Sequence, residues 1–135
     1  MDAEKNPKIL LVDDNPNNLL ALESVLDGQG ADLVKAHSCD EALRCLIKDD
    51  FAIILLDVQM PHIDGFETAT MIRSRTKTRF TPIIFVTAAG KTEAETFRGY
   101  EVGAMDYIHK PFSPKILRAK IKVLLELHGN CLVPG

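Results

Sequence analysis

Phe51-Ala52-Ile53-Ile54-Leu55-Leu56-Asp57-Val58-Gln59-Met60-Pro61-His62-Ile63-Asp64-Gly65-Phe66-Glu67 is the stretch whose reading decides the fold. Six apolar residues, Phe51 to Leu56, lead straight into Asp57. The run is too short for a buried helix and is rich in Ile and Leu, so it reads as a strand buried on both faces. Pro61 and Asp64-Gly65 mark the turn that follows. Continuous apolar runs of this kind belong to the middle of parallel sheets, and in open α/β sheets ligands bind just beyond the carboxyl ends of the strands. The strand therefore delivers the Asp57 carboxylate to a place where chemistry is expected.

Two other stretches repeat the pattern. Lys8 to Asp13 is an apolar run ending in acid, with Asp14 next, and Pro82 to Thr87 is a third, ending in a hydroxyl. Asp32 to His37 and Met105 to Lys110 alternate polar and apolar residues, which suits edge strands. Helix signals fill the gaps. Asn15 offers an N-cap and Pro16 a first helical residue, with Leu19, Leu22 and Leu26 at helical spacing until Gly28 and Gly30. Ser38 and Glu41 form a capping-box pattern before a face of Ala42, Leu43, Leu46 and Ile47. Asp64 and Glu67 open a helix carrying Phe66, Ala69 and Ile72 inward and ending near Ser74. Thr92 and Glu95 cap a fourth helix that ends at Gly103, and Ser113 and Pro114 open a fifth that runs to about His128, before Gly129.

Five strands alternating with five helices predict a doubly wound α/β domain: a parallel five-stranded sheet in the order 2-1-3-4-5, helices on both faces, with the switch point between the first and third strands. No repeat or linker divides the chain, so residues 1–135 are expected to form one domain with its core at about 8–128. A hydrophobic content of 46% with 26% charged residues is ordinary globular composition. No apolar run approaches the roughly 18 residues of a membrane span, and the start, Met1-Asp2-Ala3-Glu4-Lys5, lacks the apolar core of a signal peptide. The expectation is a cytoplasmic protein with no membrane partner. A net charge of −3 argues against direct nucleic-acid binding, and the basic run from Arg73 through Arg75 and Lys77 to Arg79 reads as a solvated loop. Cys39, Cys45 and Cys131 have neither the pairing nor the spacing of a disulfide framework or a metal site and read as reduced, structural or incidental thiols. His37, His62, His109 and His128 are scattered and read as surface or packing residues.

With that strand order the strand ends converge: Asp13 and Asp14, Asp57, Thr87 and Lys110 share one crevice. Three clustered carboxylates repel one another, and a divalent cation together with Lys110 balances their charge. An all-oxygen, incomplete, solvent-open ligand set suits Mg²⁺ better than zinc or copper. Such a site suits phosphoryl transfer onto a carboxylate, with Asp57 as nucleophile, Lys110 neutralising charge on the phosphoryl group, and the Thr87 hydroxyl and Ala88 amide donating to its oxygens.

These residues carry a resemblance. Val12-Asp13-Asp14, Leu56-Asp57-Val58-Gln59-Met60-Pro61, Asp64-Gly65, Val86-Thr87-Ala88 and Tyr107-Ile108-His109-Lys110-Pro111-Phe112 resemble the receiver domains of two-component response regulators, over roughly residues 8 to 128. The resemblance implies that Asp57 accepts phosphate from the phosphohistidine of a sensor histidine kinase or histidine phosphotransfer protein, and that a downstream output domain or effector is the other partner. It implies that Asp14, Asp57 and the Gln59 carbonyl hold Mg²⁺ directly with Asp13 assisting through water, that Thr87 and Tyr107 form a switch pair, and that Lys110-Pro111 is a cis peptide bond. The face formed by the fourth helix, fifth strand and fifth helix would carry the signal. The domain would assist its own phosphorylation and dephosphorylation without being an enzyme that turns over a separate substrate.

Two other classes fit less well. A Mg²⁺-dependent phosphatase resembling haloacid dehalogenases would place an Asp-x-Asp motif on its first strand and usually carry a cap domain, whereas here the strand ends Asp13-Asp14-Asn15 with no long insert. A flavodoxin-like cofactor carrier shares the strand order but expects a phosphate-binding loop where this chain has two carboxylates. On the last helix, Leu117, Ile121, Leu124 and Leu125 cover the sheet, and Ile116, Val123 and Leu127 form a second stripe with no obvious duty inside the domain. That stripe is a candidate homodimer or output face.

Overall fold

A computed structural model describes residues 6–57, 65–87, 101 and 103–131, leaving aside the side chains of Thr87 and residues 129–131. Five strands, β1 (Lys8–Val12), β2 (Asp32–Ala36), β3 (Ile53–Leu56), β4 (Ile83–Thr87) and β5 (Asp106–His109), alternate with the helices α1 (Pro16–Leu26), α2 (Cys39–Lys48), α3 (Gly65–Arg73) and α4 (Pro114–Cys131). The sheet is parallel throughout, in the order β2-β1-β3-β4-β5. The helix expected between Thr92 and Gly103 falls almost wholly outside the described residues.

Alternate strand residues divide the core into two layers. Leu10, Val12, Ile54, Leu56, Ile83, Phe85 and Tyr107 pack with Ala42 and Leu46 of α2 and Phe66, Ala69 and Ile72 of α3. Ile9, Leu11, Ile53, Leu55, Ile84, Val86 and Ile108 pack with Leu19, Leu22 and Leu26 of α1 and Leu117 and Ile121 of α4. Every residue of β3 is fully buried because both of its faces are covered by helices. Helices on both faces follow from that two-sided burial. Leu124 and Leu125 pack partly against the second layer, as the helix pattern requires.

The helix starts follow their capping residues. The Asn15 side chain accepts from the Asn17 amide at 2.9 Å, and Ser38 Oγ accepts from the Glu41 amide at 3.1 Å. Glu41 Oε1 reaches back to the His37 amide at 3.2 Å, one residue earlier than a strict capping box, and also meets His37 Nδ1 at 3.1 Å. Ser113 caps α4, its Oγ accepting from the Ile116 amide at 3.3 Å.

Three expectations need correction. Ile47 is exposed rather than core-facing: Cys39, Ala42 and Leu46 take the buried face of α2, and Ile47 lies about 100° round the helix from Leu46. Cys39, buried, and Cys45, half-buried against the same core, are free thiols as expected and need no correction, and burial raises the Cys45 pKa. Gly129 does not end the last helix, which continues to Cys131, since one glycine costs only about 1 kcal/mol and no proline follows within it. The basic run is also not simply a solvated loop. Arg73 Nε and Nη2 donate to the Gly103 carbonyl at 3.2 and 2.8 Å, and Nη1 donates to the Thr78 carbonyl at 3.1 Å. Burial draws the Arg73 pKa below its ordinary value. Lys77 bonds the Ile47 carbonyl at 3.2 Å and pairs with Asp50 at 3.5 Å.

Candidate functional site

Asp13 directly follows β1 and Asp57 directly follows β3. Backbone pairing continues one residue past each strand: the Asp13 amide donates to the Ala36 carbonyl and the Asp57 amide to the Val12 carbonyl, both at 3.1 Å. The two carboxylates are therefore anchored by the sheet and not by loops. Both are almost entirely buried, Asp13 at 1% and Asp57 at 7% exposure, while Asp14 next door is exposed. One carboxylate oxygen from each of the three lies within 4.8 Å of the others.

Lys110, the first residue after β5, carries its ammonium across the strand ends to this cluster. Its Nζ lies 3.2 Å from Asp13 Oδ2 and 3.7 Å from Asp57 Oδ2. The other Asp13 oxygen, Oδ1, accepts from the Asn15 amide at 3.0 Å. Both oxygens of Asp13 are thus engaged by protein donors, and this carboxylate orients Lys110 and the turn into α1. One oxygen each from Asp14 and Asp57 lies in the same cluster, so these carboxylates could hold a cation with Asp13. The donors are hard oxygens and the cluster opens to water at Asp14, so the residues present fit Mg²⁺. Acceptance of Lys110 by Asp13 at a shorter distance than by Asp57 is a feature that residue order does not reveal.

Tyr107 lies on β5 in an aromatic row. Its ring centroid is 5.5 Å from that of Phe85, Phe85 is 5.2 Å from Phe66, and the His109 ring is 5.0 Å from Tyr107. Thr87 ends β4 opposite His109, so its backbone stands at the expected strand end, although its hydroxyl is not among the described atoms. Gln59 and Ala88 lie outside the described residues. The Lys110-Pro111 bond is cis. On α4, Ile116, Val123 and Leu127 are 57%, 54% and 52% exposed. Between that stripe and the sheet, Lys120 pairs with Asp106 of β5, a tie that helix periodicity alone does not show.

Among the described residues no helix is long and apolar enough to cross a membrane. The chain is 38% identical over 125 residues to the transcriptional regulatory protein ResD of Bacillus subtilis, an alignment covering 93% of this chain and 50% of ResD. It is 37% identical over 118 residues to the transcriptional regulatory protein SrrA of Staphylococcus aureus, covering 87% of this chain and 47% of SrrA. The chain thus spans about half the length of these curated relatives. Among solved structures it is similar to the chemotaxis protein CheY4 of Vibrio cholerae, with a TM-score of 0.81 at 30% identity over 88% of this chain and 98% of that one. A CheY-like response regulator receiver domain protein from Methanospirillum hungatei gives 0.84 at 25% identity over 93% and 98%. The family model for the response regulator receiver domain matches residues 9–122. A match that runs from the first strand into the last helix makes this chain a member of the response regulator receiver domain family.

Proposed function

We propose that Asp57 accepts a phosphoryl group from the phosphohistidine of a sensor histidine kinase or histidine phosphotransfer protein, and that the modified domain then signals to an output domain or effector. The observation that carries this reading is the Lys110 ammonium set between Asp13 and Asp57, inside a cluster of three carboxylates. A cation in that position offsets negative charge both on the cluster and on an arriving phosphoryl group.

In the transfer an Asp57 carboxylate oxygen attacks phosphorus, the phosphorus–nitrogen bond of the donor breaks, and its electron pair leaves on the imidazole, which takes up a proton. Lys110 holds charge on the transferring oxygens, and Asp13 holds Lys110. The Thr87 hydroxyl and the Ala88 amide donate to the same oxygens by resemblance to the family. Asp14, Asp57 and the Gln59 carbonyl would hold Mg²⁺, with Asp13 assisting through water, and the ion's charge lets an anion approach the carboxylates. Burial of Asp57 limits access of water and of competing nucleophiles to the acyl phosphate.

The added charge and acceptor oxygens draw Thr87 toward the phosphoryl group and vacate space for the Tyr107 ring, altering the face of β5 and α4. The stripe of Ile116, Val123 and Leu127 on that face would meet a second copy or an output element. Residues 1–135 act as one cytoplasmic domain in this scheme, assisting its own phosphorylation and dephosphorylation without a separate substrate, without direct contact with nucleic acid or membrane.

Intact-mass analysis after treatment with acetyl phosphate tests the central step. The expected result is a single added phosphoryl group in Mg²⁺, lost in excess chelator and in Asp57→Ala. Undiminished labelling of Asp57→Ala would overturn the assignment.

A further inference from the structure

Between α3 and β4 every second residue from Arg73 to Arg79 is a cation, and Phe80 follows. Hydrogen bonds hold this turn in one shape. The Arg75 amide donates to the Ile72 carbonyl at 3.3 Å, the Thr78 amide to that of Arg75 at 3.2 Å and the Thr81 amide to that of Thr78 at 3.1 Å. Thr78 is buried, its Oγ1 donates to the Ile72 carbonyl at 2.6 Å, and Arg73 Nη1 donates to the Thr78 carbonyl. On this frame Phe80 is 81% exposed, more than any other large apolar residue among those described. The Arg79 guanidinium lies over its ring, 4.7 Å from the centroid. Lys77 reaches from the turn to the carbonyl of Ile47, which is itself 56% exposed near the end of α2. Arg75 and Arg79 are exposed, and among the described residues neither pairs with a carboxylate.

A single exposed apolar side chain is ordinary on a protein surface. Here the exposed ring is fixed on a hydrogen-bonded turn between guanidinium groups that have no partner, which is the combination found at the anchor points of interfaces. A preformed surface also spares the cost of ordering it on binding. Unpaired guanidinium groups call for anions, and their planar fork matches a carboxylate or a phosphate. The chain carries a net charge of −3, and Asp50 stands beside the turn, paired with Lys77 at 3.5 Å. A densely charged polyphosphate or lipid surface meets these acids together with the cations and is opposed by them. A short peptide segment can set its carboxylates over Arg75 and Arg79 and avoid Asp50.

We propose that this turn is a docking surface for an acidic segment of a partner protein, with carboxylates on Arg75 and Arg79 and an apolar side chain against Phe80. The turn leads into the amino end of β4, whereas Asp57 follows the carboxyl end of β3. In a parallel sheet these are opposite ends, so the docked segment leaves Asp57 open, and the proposal stands independently of the phosphoacceptor reading.

The test selects from a library of random short peptides on the full chain, with counter-selection on the double variant Arg79→Ser with Phe80→Ser. The expected result is enrichment of peptides that combine Asp or Glu with an apolar residue. These should bind the double variant at least about tenfold more weakly than wild type and shift wild-type amide signals at residues 75–80. Unchanged labelling of Asp57 by acetyl phosphate shows that the variant is folded; if it is not, the two single variants carry the comparison. No enrichment, or peptides that bind wild type and variant equally, overturns the proposal. Vesicles of equal parts phosphatidylserine and phosphatidylcholine, and oligo-dT, form the other arms. Binding of either one more tightly than the selected peptides, and lost in the variant, also overturns it and assigns the turn to a lipid surface or a nucleic acid.

Discussion

Lys110 and the three carboxylates set the charge balance of the crevice, and each can be altered singly. Oxygens of Asp13, Asp14 and Asp57 within 4.8 Å of one another repel, and one ammonium cannot offset all three. Asp57→Asn should therefore raise stability in chelator by roughly 1 kcal/mol in urea denaturation, since it removes one charge while keeping the shape. Lys110→Ala should do the reverse and cost about 3 kcal/mol, because it strands the buried Asp13 carboxylate without its charged partner. Equal stability of the two variants would show that charge in the cluster does not set its stability. A second residue-level effect lies at the start of α2. Hydrogen bonds to its carboxylate, first from the His37 side chain and then from the His37 backbone amide, hold the Glu41 pKa below its ordinary value of 4.5. A lowered folded pKa means a contribution that is present above the unfolded value and lost as pH falls through the folded one. The stability advantage of wild type over Glu41→Gln should accordingly be constant near neutrality and shrink below about pH 4.5. Urea midpoints across that range give the measurement.

At the scale of elements, Arg73 ties the end of α3 to the segment that leads into β5. Its planar fork donates twice to the Gly103 carbonyl and once to that of Thr78. Gly103 has φ +96, and a Cβ there would stand 2.7 Å from Arg73 Nε. Only glycine satisfies both the left-handed backbone and the close approach. Arg73→Ala should cost about 2–3 kcal/mol, and Arg73→Lys much of the same, because a single ammonium cannot span the two carbonyls. Gly103→Ala should cost about 1–3 kcal/mol. In a double-mutant cycle the two sites should couple rather than add, since they share one contact.

At the scale of the molecule, α4 buries Leu117 and Ile121 completely and leaves Ile116, Val123 and Leu127 more than half exposed. If that stripe meets a second copy, sedimentation of wild type should show a species heavier than the monomer that rises with concentration and disappears in Val123→Glu with Leu127→Glu. A wild type that stays monomeric at high concentration, phosphorylated or not, would leave the self-association reading without support. The same experiment in Mg²⁺ and in chelator separates assembly from ion binding. An ion that binds only the folded site raises the melting temperature with its concentration. That rise should vanish in Asp57→Ala.

The amino-acid sequence by itself determined the sheet order and the meeting of Asp13, Asp14, Asp57 and Lys110 at one end of it. Both follow from local signals: apolar runs buried on two faces belong to interior strands, alternating runs belong to edges, and parallel strands place all their carboxyl ends together. Tertiary structure alone decided which carboxylate holds Lys110 more closely, because that distance depends on how far a flexible side chain reaches across two neighbouring strands. It also decided that Arg73 is a clamp between elements thirty residues apart and that Ile47 faces water. Nδ1 of His109, buried without a hydrogen-bond partner among the described residues, belongs to the same class. Periodicity records which face of an element is apolar; whether a particular polar atom on that face finds a partner is settled only when distant segments pack around it.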